Sequence, residues 1–165
     1  MENKSSGKSL ESLYPSVGLA YEFVKSSYGW MLNRIEAINS KIQGLLTLAT
    51  AITAAMPILA KAMFDNVDFQ SVWFYGTIAT YILLVVIGTF GLSMGRVRLV
   101  HPKRLYEKCL SDSTWEFMKN TIYFGGQDFE DNKKIIEVKS CLRNIMNILL
   151  LGELLMVIFW ITSAG

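Results

Sequence analysis

The stretch VWFYGTIATYILLVVIGTFGLSMG, residues 72–95, carries no charged side chain over 24 positions. As a helix rising about 1.5 Å per residue it reaches roughly 36 Å, longer than the roughly 30 Å hydrocarbon core of a bilayer. Two other stretches repeat the pattern. Ile42–Ala60 is uncharged over 19 residues, and residues 145–165 hold one charge, Glu153. In lipid a backbone amide finds no water, so each run must close its hydrogen bonds internally, as a helix. Only 18% of the residues are charged, below the roughly 25% usual in soluble domains. The expected fold is an all-α integral membrane protein with three transmembrane helices, an N-terminal amphipathic helix and a cytoplasmic helical hairpin.

The basic residues set the expected orientation. Residues 1–41 hold Lys4, Lys8, Lys25, Arg34 and Lys41, residues 61–71 hold Lys61 beside Asp65 and Asp68, and residues 96–144 hold ten Lys or Arg. Short loops rich in Lys and Arg stay in the cytoplasm. This predicts a multi-pass protein of the bacterial inner (plasma) membrane, with a cytoplasmic N-terminus and an external C-terminus. The expected segments are a mobile polar tail (1–17), an amphipathic helix (18–41), a first span (42–60), an external turn (61–71), a second span (72–95), the cytoplasmic hairpin (96–144) and a third span (145–164). The polar start of the tail predicts no cleavable signal peptide.

Within the amphipathic segment Leu19, Phe23, Trp30, Ile38, Ile42 and Leu45 recur at helical intervals. No proline lies between Trp30 and Ala55, so this helix is expected to run directly into the first span. It either lies in the membrane interface or forms a stalk against neighbouring subunits. Thr47 and Thr50 belong to a small-residue stretch of the first span that lets helices approach closely. Gly88, Gly91 and Gly95 do the same for the second, where Gly91-x-x-x-Gly95 matches a packing motif used within and between chains.

In the hairpin, Pro102 suits a first helical position and Ser113-x-x-Glu116 has capping-box spacing. Gly125-Gly126 predicts a helix break, with a second helix starting near Asp128, Glu130 and Asp131. Ile135, Val138, Leu142, Ile145 and Leu149 are spaced as a heptad seam.

The parts for catalysis are few. One histidine, His101, and two separated cysteines, Cys109 and Cys141, do not compose a standard zinc set. No phosphate-loop or nucleophile-elbow motif occurs. The chain is expected not to be an enzyme, with no catalytic residues, metal or cofactor. Glu153 is the residue that demands explanation, because a charge at mid-bilayer costs about 2.5 kcal/mol or more. It is either a gating carboxylate in a pore, with Asn144 and Asn147 continuing a polar track, or a protonated carboxyl bonded to Thr47, Thr50 or a backbone carbonyl. Arg96, Arg98, Lys103, Arg104, Lys133, Lys134, Lys139 and Arg143 form a second candidate set. On a paired hairpin they could bind a phosphate-bearing ligand; alternatively they fix topology and touch anionic headgroups.

The stretch Arg34-Ile-Glu-Ala-Ile-Asn-Ser-Lys41, leading into a small-residue span, resembles the first helix of small bacterial antiphage transmembrane effectors. So does the run from Trp115-Glu-Phe-Met-Lys-Asn-Thr-Ile122 through Asn132-Lys-Lys-Ile-Ile-Glu-Val-Lys139 into a last span. This group includes the SLATT-like proteins, the Pycsar effectors and the Hailong channel effector, the last of which fits the size best. The resemblance covers most of the chain and implies a homo-oligomer, a tetramer being one such assembly, set in the lipid bilayer. It further implies a cyclic nucleotide or short oligonucleotide, made by a nucleotidyltransferase or cyclase, as the ligand that governs a pore.

Overall fold

The computed structural model describes residues 15–63, 71–95 and 112–164. Most of the expected tail and external turn lie outside the described residues, as do Pro102, His101, Cys109 and the basic residues Arg96, Arg98, Lys103 and Arg104. The described residues form three helices: α1 (Val17–Met63), α2 (Val72–Ser93) and α3 (Thr114–Ala164). Each is long and apolar enough to cross a membrane. The chain is therefore a multi-pass all-α membrane protein.

The helix ends follow from local chemistry. Ser71 caps α2, its hydroxyl accepting from the Trp73 N–H at 3.3 Å. The Ser113–Glu116 capping box forms as the spacing predicts: the Ser113 hydroxyl accepts from the Glu116 N–H, and the Glu116 carboxylate accepts from the Ser113 N–H. At the other end of α2, Met94 N–H donates to the Phe90 carbonyl and Gly95 turns the chain away at φ +81°. That is the left-handed residue that so often follows a helix. Gly95 is thus a helix stop, so the Gly91-x-x-x-Gly95 match is not one continuous helix face. A Cβ on Gly95 would lie 2.7 Å from Ile135 Cγ2. Gly95→Ala is expected to destabilise the fold by about 1–3 kcal/mol, combining backbone strain with that clash; denaturant titration in micelles measures it.

Two compact units divide the chain. The first joins the N-terminal part of α1, as far as Asn33, to the N-terminal part of α3. There Tyr28 OH donates to Asp128 Oδ2 at 3.1 Å. The predicted break at Gly125-Gly126 does not occur: α3 runs through both glycines, and Asp128, Glu130 and Asp131 lie in its interior. The physical reason is packing. A Cβ on buried Gly125 would sit 2.7 Å from Val24 Cγ1, so this glycine permits helix–helix contact, which outweighs a propensity cost of about 1 kcal/mol.

The second unit (34–95 with 135–165) contains the three spans. Asn39 bonds Lys139 and Thr53 bonds Glu153, the same offset of 100 residues at both places, so α1 and α3 run parallel and in constant register. Helix α2 runs antiparallel to both. Its Gly91 lies near Ile42 and Leu142, Gly88 near Leu46, and Gly76 near Met156. Trp73 and Phe74 stack beside Phe159 and Trp160 at the far end. Three consecutive crossings require this alternation of direction.

The buried stripe of α3 differs from the expected seam. Lys139, Met146, Glu153 and Trp160, seven residues apart, are 0–2% exposed, and Ile136, Leu150 and Val157 are buried on the same stripe. Val138 and Ile145, predicted for the seam, are exposed instead, while Ile135 and Leu142 flank it against Gly95 and Gly91. The seam includes two ionisable residues because they find partners there. The exterior is correspondingly apolar, with Leu83, Val86, Phe90, Ile148, Leu151, Leu155 and Ile158 all exposed. That inversion suits lipid, which welcomes apolar faces and penalises unpaired polar ones.

In α1 the buried residues are Met31, Ile35, Ile38, Ile42, Ala49 and Met56. Leu19, Phe23 and Trp30 share the predicted helical spacing but are exposed.

Candidate functional site

The second unit contains two polar rungs, both carried by α3 and both facing inward. The first is built on Lys139, 2% exposed. Its ammonium donates to Asn39 Oδ1 on α1 at 2.9 Å and to the Gly91 carbonyl of α2 at 2.9 Å. Gly91 is three residues before the cap at Met94, a position whose carbonyl has no partner inside the helix. A cation is the favoured group at this negative end of the helix dipole. One side chain thereby ties all three helices.

Glu153, 0% exposed, makes the second rung. Thr53 Oγ1 donates to Glu153 Oε1 at 2.7 Å. The other carboxyl oxygen, Oε2, is buried with no hydrogen-bond partner among the described residues. Lys139 and Glu153 are 14 residues apart, roughly 21 Å along a helix, so they do not pair with each other. Around Glu153 the surface of the unit is apolar, and Met56, Val157 and Trp160 form a hydrophobic cluster beyond it toward the α3 C-terminus. No protein family, characterised protein or solved structure matches the chain. The roles of its residues therefore follow from geometry alone.

The expected partners of Glu153 are replaced. Thr47 and Thr50 turn back on their own helix, bonding the Gln43 and Leu46 carbonyls, and Thr50 also meets Tyr81 OH of α2 at 3.2 Å. Thr53, one helical turn further along, takes the position instead. Asn144 and Asn147 do not join Glu153. Both are exposed; Asn144 accepts from Arg143, and Asn147 lines a separate groove with Arg143 and Lys41. Gly88 and Gly91 do serve close packing, and they do so inside the chain, against Leu46, Ile42 and Leu142.

The basic set is dispersed. Lys133 and Lys134 are exposed in the first unit, Lys139 is buried in the second, and Arg143 lies half-buried in the groove wall. Among the described residues, no cluster of three His, Cys, Asp or Glu side chains has metal-binding spacing. Cys141 is a free, exposed thiol.

Sequence reasoning missed Asn39 and Thr53, though a signal for them exists. They are 14 residues apart on α1, as Lys139 and Glu153 are on α3. Two polar pairs of equal spacing on two helices are the mark of parallel pairing in one register.

Proposed function

We propose that the protein is a non-enzymatic membrane effector of bacterial antiphage defence: a homo-oligomeric channel of the inner membrane, gated by a nucleotide or oligonucleotide signal. In this reading the N-terminus and the segment before the third span are cytoplasmic, and opening depolarises the membrane and arrests growth. The observation that carries it is the Glu153 carboxyl, held within a span with one oxygen unsatisfied. Buried ionisable groups in membranes are expensive and usually mark ion pathways. Helix α3 supports the coupling. It extends unbroken from the expected sensing region into the rung of Glu153, so displacement of its N-terminal half would be transmitted along it. In the resting state Thr53 holds Glu153 inward; in the conducting state the carboxyl turns to face the ion path between subunits. The exposed apolar positions Leu19, Phe23 and Trp30 supply an interfacial or inter-subunit surface.

Purified full-length protein in planar bilayers tests this directly. Cation-selective conductance that appears or vanishes with cyclic nucleotides or short oligonucleotides is expected. A silent protein that elutes as a monomer would remove the proposal. One observation favours a second reading, a non-conducting membrane anchor or small transporter subunit. Both rungs face inward and tie helices of the same chain, as structural clamps do. That reading predicts harmless overexpression and a soluble or membrane partner that co-purifies.

A further inference from the structure

A groove of about 480 Å³ opens between α1 and α3, lined by Lys41, Gly44, Leu45, Leu48, Arg143 and Asn147. Its size lies within the roughly 300–1,000 Å³ typical of ligand sites. It exists because α3 places an arginine on its seam, between buried Ile136 and Leu150, while α1 places Gly44 near it. A Cβ on Gly44 would meet nothing within 4 Å. Lys41 and Arg143 are the last basic residues before the apolar runs of the first and third spans. The parallel register puts them within two residues, about 3 Å, of one depth. No carboxylate lines the groove. Among the described residues Lys41 has no hydrogen-bond or ion-pair partner, Arg143 makes one bond, to Asn144 Oδ1 at 2.7 Å, and its buried Nε has none. Below these cations the wall becomes Leu45 and Leu48, and Leu48 continues onto the apolar exterior.

We propose that this groove is a binding site for one anionic phospholipid, its phosphate held between Lys41 and Arg143 and an acyl chain lying on Gly44, Leu45 and Leu48. Guanidinium and ammonium groups on the wall of one groove match a headgroup phosphate. The leucines below match a hydrocarbon chain and give a soluble phosphate compound nothing to gain. The bound lipid would tie α1 to α3 outside the two polar rungs. The proposal does not depend on conductance.

Native mass spectrometry of the full-length protein in a non-ionic detergent tests it, with phosphatidylglycerol and phosphatidylcholine of identical chains offered in equal amounts. Each basic group near an anionic lipid contributes about fivefold, so a preference of roughly 25-fold for phosphatidylglycerol is expected. The double variant K41Q/R143Q should bind the two lipids equally. Gly44→Leu keeps both charges and fills the groove; it should reduce phosphatidylglycerol adducts by about tenfold while circular dichroism shows unchanged helicity. Glycerol 3-phosphate in excess should fail to displace the lipid. Equal binding of both lipids by the native chain overturns the proposal. So does a preference that survives K41Q/R143Q, undiminished adducts in Gly44→Leu, or displacement by glycerol 3-phosphate.

Discussion

Lys139→Glu is expected to be the most damaging single substitution in the second unit, lowering stability by about 3–5 kcal/mol or preventing folding outright. The native ammonium faces two acceptors, Asn39 Oδ1 and the Gly91 carbonyl, each at 2.9 Å. A carboxylate there would confront the Gly91 carbonyl, a fixed acceptor at the negative end of the α2 dipole, with no proton to share. Asn39 can rotate its amide to donate, but the backbone cannot. Lys139→Arg keeps the charge and should recover most of the loss. Unfolding by SDS in mixed micelles, followed by circular dichroism, provides the measurement. A double-mutant cycle isolates the pair: Asn39→Leu and Lys139→Met should couple by about 1.5–3 kcal/mol, the range for a hydrogen bond to a charged group. Additive effects would mean that the two side chains do not interact.

The second large effect concerns conduction. Glu153→Gln is nearly isosteric and still accepts from Thr53, so folding should change by less than about 1 kcal/mol. If Glu153 serves the ion path, conductance or toxicity should fall by about tenfold or more, since the charge is gone. Thr53→Val should act in the opposite direction. It removes the 2.7 Å bond that holds the carboxyl inward, costs about 1–2 kcal/mol of stability, and should raise basal conductance. Opposite signs from two partners in one hydrogen bond are hard to obtain from misfolding, which lowers activity in both. Two unchanged variants would leave the rung as a structural clamp and favour the anchor reading.

The spans were legible because charge is so sharply segregated; no fold other than buried or lipid-bound helices accommodates Val72–Gly95 without a charged side chain. The start of α3 was legible too, since a capping box is a local device that needs no tertiary partner. Gly125-Gly126 misled because propensity is a local cost while the Val24 contact is not visible along the chain. The seam of α3 was misplaced by one residue for a related reason. An apolar-periodicity reading avoids Lys139 and Glu153, yet hydrogen bonds to Asn39, Gly91 and Thr53 draw both inside. Glu153 itself stood out as an isolated charge. Its partner was placed one turn away, because only the register of α1 against α3 distinguishes Thr53 from Thr50.

The channel and anchor readings both require three crossings with α1 and α3 parallel. Substituted-cysteine labelling tests this most directly, using single cysteines at the exposed positions Ser26, Gln127 and Thr162 in a chain whose Cys109 and Cys141 are serine. With a membrane-impermeant maleimide on spheroplasts, Thr162→Cys should be labelled in intact cells, and Ser26→Cys and Gln127→Cys only after the membrane is opened. Labelling of positions 26 and 127 from opposite sides, or of 26 and 162 from the same side, would contradict the three-span arrangement.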